Sequence, residues 1–313
     1  MTILVTGSAG HLGEGLVRTL RATGRACIGL DLIASPFTDI VGSIVDPAVV
    51  ERAFDGVDVV LHTATLHKPH VATHDRQAFV ATNITGTLNL LEAAVRARVR
   101  AFIYTSTTST FGDALVPAAG QPAAWITETV VPVPKNIYGV TKIAAEDLCA
   151  LAHRNQQLAC VVLRTSRFFP EPDDNDDART SYADANLKAT EYLYRRVDVE
   201  DVVSAHLAAI DRAQAIGFGR YIITATTPFV RDDVAELRRD PAAVISRYLP
   251  TWREIYRALD WKMLPSIDRV YDNAKARREL GWKPVHDFAT VLARARDIRS
   301  PLARAVGVKG YHG

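Results

Sequence analysis

The chain has 313 residues and a formal net charge of +2, and 48% of its residues are hydrophobic while 23% are charged. These values are ordinary for a globular enzyme, and the near-neutral charge gives no reason to expect a nucleic acid or a membrane surface as a partner. No apolar run approaches the ~20 residues of a membrane span. The first strand is expected to begin at Thr2, so we expect no signal peptide.

Three widely spaced cysteines, Cys27, Cys149 and Cys160, occur in the chain. Their small and odd number predicts a reducing compartment, with neither a disulfide framework nor a zinc site. We therefore expect a cytoplasmic protein without a structural metal. The length allows either one large domain or two small ones.

A glycine-rich turn lies between an apolar strand over residues 3–5 and an amphipathic helix whose leucines recur every four residues. Glycine permits a tight turn and lets backbone amides approach a pyrophosphate without a Cβ in the way. The N-terminus of the following helix adds a partial positive charge. Because Gly7, Gly10 and Gly13 combine these features, we expect them to bind a dinucleotide.

An acidic residue ends the second predicted strand, which covers residues 26–30. Asp31 comes eighteen residues after Gly13, where a carboxylate can accept hydrogen bonds from the adenosine ribose hydroxyls. A carboxylate would repel a 2′-phosphate, and no arginine follows within the next few residues to bind one. The sequence therefore predicts NAD rather than NADP as the cofactor.

Strands and helices alternate up to Thr165, as expected for a doubly wound parallel sheet. Further strands are predicted over residues 38–42, 57–62, 101–105 and 159–164, and helices over 47–54, 84–95 and 138–155. Small residues at 63–65 and a hydroxyl-rich run at 105–110 follow two of these strands. The carboxyl ends of parallel strands face the ligand crevice, so we expect both segments at a site. Residues 112–134 predict a long functional loop.

The alternation stops after Thr165, and residues 167–197 are expected to be irregular, with a solvated acidic loop at 171–177. Residues 199–210 predict a helix and 221–224 a strand. We expect an NAD-binding domain at 1–165, to which 199–224 return. A smaller, mostly C-terminal substrate-binding region is expected at 166–198 and 225–313.

A polar segment over residues 66–74 contains His67, His70 and His74. Three histidines could bind a metal, but no acid or cysteine joins them at ligand spacing. We interpret the segment as a substrate-facing or solvated loop.

Tyr138 and Lys142 lie four residues apart and thus on one face of the predicted helix. A lysine ammonium stabilises a phenolate, which lets tyrosine act as a base nearer neutral pH. A neighbouring hydroxyl can hold the substrate oxygen while hydride leaves the carbon. The pair alone occurs by chance in many helices. Here it follows a dinucleotide turn and a hydroxyl run in one α/β unit, so we interpret it as catalytic.

With these motifs, the chain resembles the extended short-chain dehydrogenase/reductases, in particular the NAD-dependent epimerase/dehydratase family of sugar-nucleotide enzymes. The resemblance implies a Rossmann-type α/β fold. The matching segments follow the family's order: TGSAGHLG at 6–13, VVLHTAT at 59–65, TNITGTLNLLEAA at 82–94, FIYTSTTSTFG at 102–112, YGVTK at 138–142, VDVEDVV at 197–203 and ARRELGWKP at 276–284.

The resemblance implies roles for the matching residues. Thr107 takes the place of the catalytic serine or threonine, Tyr138 is the acid/base, and Lys142 binds the nicotinamide ribose and tunes Tyr138. The residues implied to bind NAD are Gly7, Gly10, His11, Leu12, Gly13, Asp31, Leu32, Ser43, Ile44, Thr63, Ala64, Thr65, Asn83, Thr105, Tyr138, Lys142 and Thr165. The candidate substrate residues are His67, Lys68, Thr108 and Arg167.

Several positions depart from the family's pattern. Ser43 stands where the family commonly has an aspartate near the adenine. Thr108 and Ser109 replace the Asp-Glu pair of the dehydratases, and the glutamate of the decarboxylases is also missing, so we expect neither reaction. Arg167 replaces an asparagine of many nucleotide-sugar enzymes, and residues 182–196 differ from the usual nucleotide-clamping region. These two differences weaken the case for a UDP- or dTDP-sugar.

Three functions remain open. The favoured hypothesis is a nucleotide-sugar epimerase similar to UDP-glucose 4-epimerase, which works through a transient keto intermediate. The alternative is a net NAD-dependent dehydrogenase of a sugar, sugar acid or other small alcohol. In either case Arg167, Arg195 or Arg196 could bind an anionic group. A non-catalytic NAD-binding protein is the third hypothesis, disfavoured by the set of Thr107, Tyr138 and Lys142.

The resemblance also implies a homodimer, in which helices near 84–98 and 138–154 form a four-helix bundle. Small residues on these helices, Ala93, Ala94, Ala144 and Ala145, would permit close packing, although they suit a monomer core as well.

Overall fold

The computed structural model describes residues 1–172, 176–294 and 297–309. A seven-stranded parallel sheet forms its centre, with the strands in the order β3-β2-β1-β4-β5-β7-β8. The strands are β1 (Ile3–Thr6), β2 (Cys27–Asp31), β3 (Ile40–Val41), β4 (Val59–His62), β5 (Ala101–Thr107), β7 (Cys160–Thr165) and β8 (Phe218–Ile223). A second sheet pairs β6 (Ala124–Ile126) with β9 (Arg269–Tyr271). The prediction of a Rossmann-type doubly wound α/β fold is confirmed.

The α-helices cover both faces of the central sheet and build the smaller region. They are α1 (His11–Ala22), α2 (Pro47–Ala53), α3 (Arg76–Phe79), α4 (Gly86–Arg96), α5 (Ile137–Gln156), α6 (Asp176–Ser181), α7 (Asp184–Glu191), α8 (Val199–Ile216), α9 (Val234–Leu237), α10 (Pro241–Tyr248), α11 (Trp252–Ala258), α12 (Ala274–Glu279), α13 (Phe288–Ala293) and α14 (Pro301–Val306).

Alternate side chains of the strands enter two separate cores, because successive residues of a strand point to opposite faces. Ile3 and Val5 pack with Leu12 and Leu16 of α1 and with the apolar face of α8. Leu4 packs on the other face, with residues from α2, α4 and α5. Each fully buried side chain of this kind contributes roughly 1.5–3 kcal/mol to folding. The near-continuous apolar runs of the strands therefore specify a sheet covered on both sides.

The strand order reverses next to β1, which pairs with β2 on one side and β4 on the other. In such open sheets, ligands bind in the crevice beyond the carboxyl ends of the strands at the point of reversal. The connections after β1, β4, β5 and β7 all emerge at this edge, so the fold brings their residues together.

Two segments differ from the sequence expectations. Residues 167–197 were expected to be irregular, but they contain α6 and α7. The expected loop at 112–134 includes β6, which pairs with β9. Ala189 of α7 belongs to an apolar cluster with α10, α11 and α13, and Leu187 of the same helix is buried, so tertiary packing stabilises this helix. Within the predicted acidic loop at 171–177, residues 173–175 lie outside the described residues.

In the described parts of the chain, no helix is both long enough and apolar enough to span a bilayer.

Candidate active site

A cavity of about 490 Å³ lies at the carboxyl edge of the central sheet. It is lined by every candidate site residue except Asn83: Gly7, Gly10, His11, Leu12, Gly13, Asp31, Leu32, Ser43, Ile44, Thr63, Ala64, Thr65, His67, Lys68, Thr105, Thr107, Thr108, Tyr138, Lys142, Thr165 and Arg167. Residues from seven separate segments of the sequence therefore meet in one place.

The glycine turn has a backbone that other residues could not easily adopt. Gly7 has a φ of +72°, and a Cβ at this position would lie 2.7 Å from the backbone nitrogen of Ala64. A Cβ on Gly13 would overlap the main chain of Gly7. Gly10 caps the N-terminus of α1 without a side-chain hydrogen bond. The first turn of α1 therefore keeps its amide groups accessible to an anionic ligand.

Buried polar atoms in the cavity lining that have no hydrogen-bond partner among the described residues include Nδ1 of His11 and Oγ of Ser166. Buried polar groups are almost always paired, so both positions suit a polar ligand. Together with the glycine cradle, they fit a dinucleotide in this cavity.

Asp31 lies beside the glycine turn in the lining of the cavity. Its carboxylate accepts hydrogen bonds from the backbone amides of Ala9 at 2.9 Å and Ile33 at 3.0 Å. These bonds fix the carboxylate next to the glycine turn and hold it in the lining. Ser43 also lines the cavity, while its Oγ accepts a hydrogen bond from the Val45 amide.

Thr107 and Tyr138 form the centre of the cavity. Thr107 ends β5, and its Oγ1 accepts a 3.1 Å hydrogen bond from the Ser109 amide. Asn136 caps α5 through a hydrogen bond from the Gly139 amide, which fixes the position of Tyr138 in the first turn. Burial raises the pKa of Tyr138 to about 12, and a hydrogen bond with the Thr107 side chain opposes this rise.

Lys142 lies one turn further along α5 and is fully enclosed. Its Nζ donates a 2.6 Å hydrogen bond to the Thr105 carbonyl oxygen and lies 4.2 Å from the ring centre of Tyr104. Burial lowers the pKa of Lys142 to about 7, while the nearby carboxylate of Glu146 acts in the opposite direction.

The pKa of Tyr138 differs from the sequence expectation. We expected Lys142 to bring it toward neutrality, but burial dominates and raises it. The ammonium is directed to the carbonyl of Thr105. Tyr138 is therefore a protonated phenol at neutral pH in this structure.

Asn83 lies beside the cavity and not in its lining. It sits in a π-helical turn over Val80–Thr85, directly before α4. Its amide group bonds to both main-chain groups of Leu66 at 2.8 and 2.9 Å and to the hydroxyls of Thr65 and Thr141. Asn83 therefore holds the loop after β4 in position. We expected it to contact the cofactor, but it does not line the cavity.

An aromatic wall, formed by His11, His67, Phe168 and Phe169, closes one side of the cavity. The rings of Phe168 and Phe169 are stacked with centroids 4.3 Å apart. His67 stacks on Phe169 at 5.3 Å, and His11 stacks on Phe168 at 6.1 Å. Burial lowers the pKa of both histidines to about 4, so both rings are neutral at pH 7.

Sequence reasoning missed the two phenylalanines, although they follow β7 directly, where parallel strands present their ligand-facing residues. It also missed lining residues contributed by other segments. These include Leu115, Lys135, Asn136, Glu171, Arg269, Tyr271 and Lys309. Arg195, considered as a possible anion-binding residue, lines the cavity together with Arg167. Both Arg195 and Arg196 form ion pairs with Glu191.

In the described residues, the side chains that could share a metal ion are Asp198, Glu200 and His286, whose ligand atoms lie within 4.8 Å of one another. Asp198 already accepts a 2.6 Å hydrogen bond from Ser300 Oγ. His286 Nδ1 lies 2.8 Å from an Arg294 nitrogen. A nitrogen of arginine can only donate, so Nδ1 accepts and Nε2 carries the proton. Glu200 Oε2 and His286 Nε2 lie 3.8 Å apart at the N-terminus of α8 and have no hydrogen-bond partner among the described residues.

The model of the NAD dependent epimerase/dehydratase family matches residues 3–223 of the chain. The match covers the central sheet, the glycine turn and the segment from Thr107 to Lys142.

The chain is similar to curated proteins of three different activities. It is 26% identical to a 3-beta-hydroxysteroid dehydrogenase of Mycolicibacterium neoaurum, over 94% of this chain and 89% of the relative. It is 26% identical to UDP-arabinose 4-epimerase 1 of Arabidopsis thaliana, over 91% and 75% of the two chains. It is 29% identical to a dTDP-glucose 4,6-dehydratase of Streptomyces antibioticus, over 95% and 92%.

Solved structures share the fold over the whole chain. A short-chain dehydrogenase/reductase superfamily protein of Agrobacterium tumefaciens with bound NAD superposes with a TM-score of 0.69 at 23% identity, covering 97% of this chain and 99% of the other. UDP-glucose 4-epimerase of Thermotoga maritima, solved with UDP-glucose, gives 0.63 at 24% identity, covering 95% and 99%.

Proposed function

Because the chain belongs to the NAD-dependent epimerase/dehydratase family, we propose that it is a nucleotide-sugar epimerase that acts on a sugar hydroxyl. The observation that carries this proposal is the meeting of Thr107, Tyr138 and Lys142 in the cavity that also contains the glycine turn. A hydroxyl, a phenol and an ammonium at one point can hold an alcohol and move its proton.

In this proposal, the glycine turn and Asp31 bind the dinucleotide. Gly7, Gly10 and Gly13 receive the pyrophosphate, and Asp31 receives the adenosine ribose. When bound, NAD supplies a reversible hydride acceptor. Lys142, which is charged below a pKa of about 7, offers its ammonium to the nicotinamide ribose beside the Thr105 carbonyl.

The proton is moved by the chain's own residues. Thr107 Oγ1 holds the oxygen of the substrate hydroxyl next to Tyr138. Tyr138 accepts the hydroxyl proton as the sugar ketone forms, and it returns the proton when the hydroxyl is rebuilt with the opposite configuration. Since burial raises the pKa of Tyr138 to about 12, the positive charge of the bound nicotinamide and of Lys142 must lower it during turnover.

Dehydration is not part of the proposal, although a dehydratase is among the relatives. Thr108 and Ser109 line the cavity where the dehydratases of the family carry an Asp-Glu pair. Neither side chain can act as a carboxylic acid that protonates a leaving hydroxyl.

A second function is supported by the aromatic wall and by the steroid dehydrogenases among the relatives. Phe168 and Phe169 present an apolar surface beside Ser166, which suits an apolar alcohol better than a sugar. The alternative is therefore a net NAD-dependent dehydrogenase of a small alcohol. A protein that binds NAD without turnover is disfavoured by the same three side chains.

We also propose a homodimer through α4 and α5. The alanines named for close packing serve the chain's own core, since Ala93, Ala94 and Ala145 are buried. Other apolar side chains of these helices remain exposed, namely Leu88 at 39%, Val140 at 48% and Leu151 at 39%. A second copy of the chain would cover them. The expected cytoplasmic location stays a prediction, based on three free cysteines.

The two functions are separated by incubating the purified protein with UDP-glucose, UDP-galactose or UDP-arabinose and analysing the sugars by NMR. An epimerase converts one epimer into the other without net formation of NADH. A dehydrogenase forms NADH in proportion to product, with other alcohols as substrates. Tyr138→Phe should reduce either activity by roughly 10²–10⁴-fold, while Tyr182→Phe, outside the cavity, should leave it unchanged. Full activity of Tyr138→Phe would overturn the catalytic assignment.

A further inference from the structure

A segment distant in sequence borders the phosphate-binding end of the cavity. Lys309 lines the cavity together with His11 and Gly13. Its Nζ forms an ion pair with the carboxylate of Glu14 in the first turn of α1. The Glu14 side chain is 2% exposed and the Lys309 side chain 25%, so this ion pair is partly buried, next to the glycine turn.

The segment that carries Lys309 is fixed to the helices around the turn. Ser300 caps α14 by accepting a hydrogen bond from the Ala303 amide, and it donates a 2.6 Å bond to Asp198 at the start of α8. Leu302 packs against α1 so closely that a Cβ on Gly15 would lie 3.7 Å from it. Val306 is buried. Only two residues lie between Val306 and Lys309, so the ammonium is held near the turn.

The negative charge of Glu14 beside the glycine turn requires a nearby cation if an anionic pyrophosphate is to bind there. Glu14 places a buried carboxylate beside the amides that receive the pyrophosphate, and a like charge there would oppose binding. Arg18 compensates part of this charge from the outer side, with a 2.6 Å hydrogen bond to Glu14. Lys309 approaches from the cavity side. Burial lowers the pKa of His11 to about 4, and the charge of the nearby Lys309 acts in the same direction.

We propose that Lys309 is a cofactor-binding residue, carried by residues 300–309 to the phosphate end of the cavity, where its ammonium binds the dinucleotide pyrophosphate and Glu14 together. An ammonium has three N–H donors and can therefore serve both anions. The proposal rests on the proposed function only in requiring that a dinucleotide occupies the turn of Gly7, Gly10 and Gly13.

The test is a calorimetric titration of the full chain with NAD. Lys309→Met should weaken NAD binding roughly tenfold, and Lys309→Arg should keep the affinity of the original protein. Raising the ionic strength from about 0.01 M to about 0.15 M shortens the Debye length from about 30 Å to about 8 Å, and it should weaken NAD binding less in Lys309→Met than in the original protein. The matched control is Arg304→Met, which removes a cation from the same segment outside the cavity and should change nothing.

A second pair of variants separates direct binding from mere neutralisation of Glu14. Lys309→Met is combined with Glu14→Gln in a double variant. This variant has no unpaired buried carboxylate at position 14 that would destabilise the fold. A loss of NAD affinity in this background supports contact with the pyrophosphate. A loss only when Glu14 is present overturns that contact, as does equal NAD affinity of Lys309→Met and the original protein. If the original protein binds no dinucleotide at all, the proposed function fails as well.

Discussion

Lys142 and Thr105 are joined by a 2.6 Å hydrogen bond from the lysine Nζ to the threonine carbonyl oxygen. The bond connects α5 to the carboxyl end of β5 inside the core. Because Tyr138 lies one turn before Lys142 and Thr107 lies two residues after Thr105, this bond contributes to the spacing of the two groups that are proposed to hold the substrate hydroxyl. The geometry of the site therefore depends on the packing of α5 against the central sheet.

Glu146 anchors α5 to the central sheet, and its replacement should destabilise the fold strongly. Its fully buried carboxylate accepts hydrogen bonds from Ser106 at 2.6 Å, Arg164 at 2.7 Å and Arg220 at 2.9 Å. Glu146→Gln leaves Arg164 buried without a full counter-charge, which should cost about 3–5 kcal/mol in the free energy of unfolding. Urea denaturation measures this loss. Asp147→Asn, at a side chain 68% exposed, should change the free energy by less than about 0.5 kcal/mol. A loss below about 1 kcal/mol for Glu146→Gln would contradict the role of this cluster.

His206 should make the protein less stable in acid. Its ring is buried between the Thr105 hydroxyl and the Val202 carbonyl, each 2.8 Å away. Burial lowers the pKa of His206 from 6.5 to about 4, so the unfolded chain binds a proton in this window while the folded chain does not. Stability then falls as the pH is lowered from 6.5 to 4.

The measurement compares urea denaturation at about pH 7 and about pH 5, where the histidine accounts for roughly 2 kcal/mol of the loss. His206→Asn should show a loss smaller by that amount, whatever its absolute stability. His74→Asn, outside the core, should behave as the original protein. An equal acid loss in His206→Asn would show that His206 does not control this pH dependence.

Asp31 should determine the choice between NAD and NADP. Its carboxylate is fixed by the amides of Ala9 and Ile33, and a 2′-phosphate would meet its negative charge. Asp31→Ser removes the charge, so NAD should bind more weakly and the preference for NAD over NADP should narrow by about tenfold or more. Calorimetric titration with both dinucleotides measures the two dissociation constants. Asp55→Ser, at an exposed aspartate, is the control. An unchanged ratio would remove Asp31 from the cofactor site.

Leu151 should lie in the proposed dimer interface. Val140, Ala144, Asp147 and Leu151 share one face of α5 by their helical spacing, and Val140 and Leu151 are exposed. Leu151→Glu would bury a charge in the interface and should produce a monomeric mass in light scattering at micromolar concentration. Val285→Glu changes an equally apolar exposed position in the smaller region and should leave the dimer intact. A monomeric mass for the original protein would exclude the dimer.

The sequence predicted the local features well, because each depends on neighbours close in the chain. The turn of Gly7, Gly10 and Gly13 is required by backbone conformation, and the alternation of strands and helices up to Thr165 follows from periodic apolar residues. The parallel sheet is confirmed for this reason. The assignment of Tyr138 and Lys142 stays a prediction, since only their common place in the cavity is visible.

The remaining features depend on residues far apart in sequence. The strand at Ala124–Ile126 exists because it pairs with Arg269–Tyr271, and no local pattern indicates that partner. The spacing of Tyr138 and Lys142 led us to expect a lowered pKa for Tyr138. Burial raises this pKa instead, and the spacing of two residues in the sequence gives no information on burial. Asn83 was expected in the cavity lining, but its amide group is bonded to the main chain of Leu66, a contact between residues 17 positions apart that no local pattern indicates.

The most direct test of the proposed dinucleotide site is the dinucleotide content of the freshly purified protein. The protein is denatured, the precipitate is removed, and any released dinucleotide is identified and quantified, followed by titration of the emptied protein with NAD. We predict that the bound species is NAD, at close to one molecule per chain for an epimerase. For a dehydrogenase, we predict that added NAD binds in preference to NADP. A protein that contains no dinucleotide and binds neither NAD nor NADP would contradict the site built on Gly7, Gly10, Gly13 and Asp31.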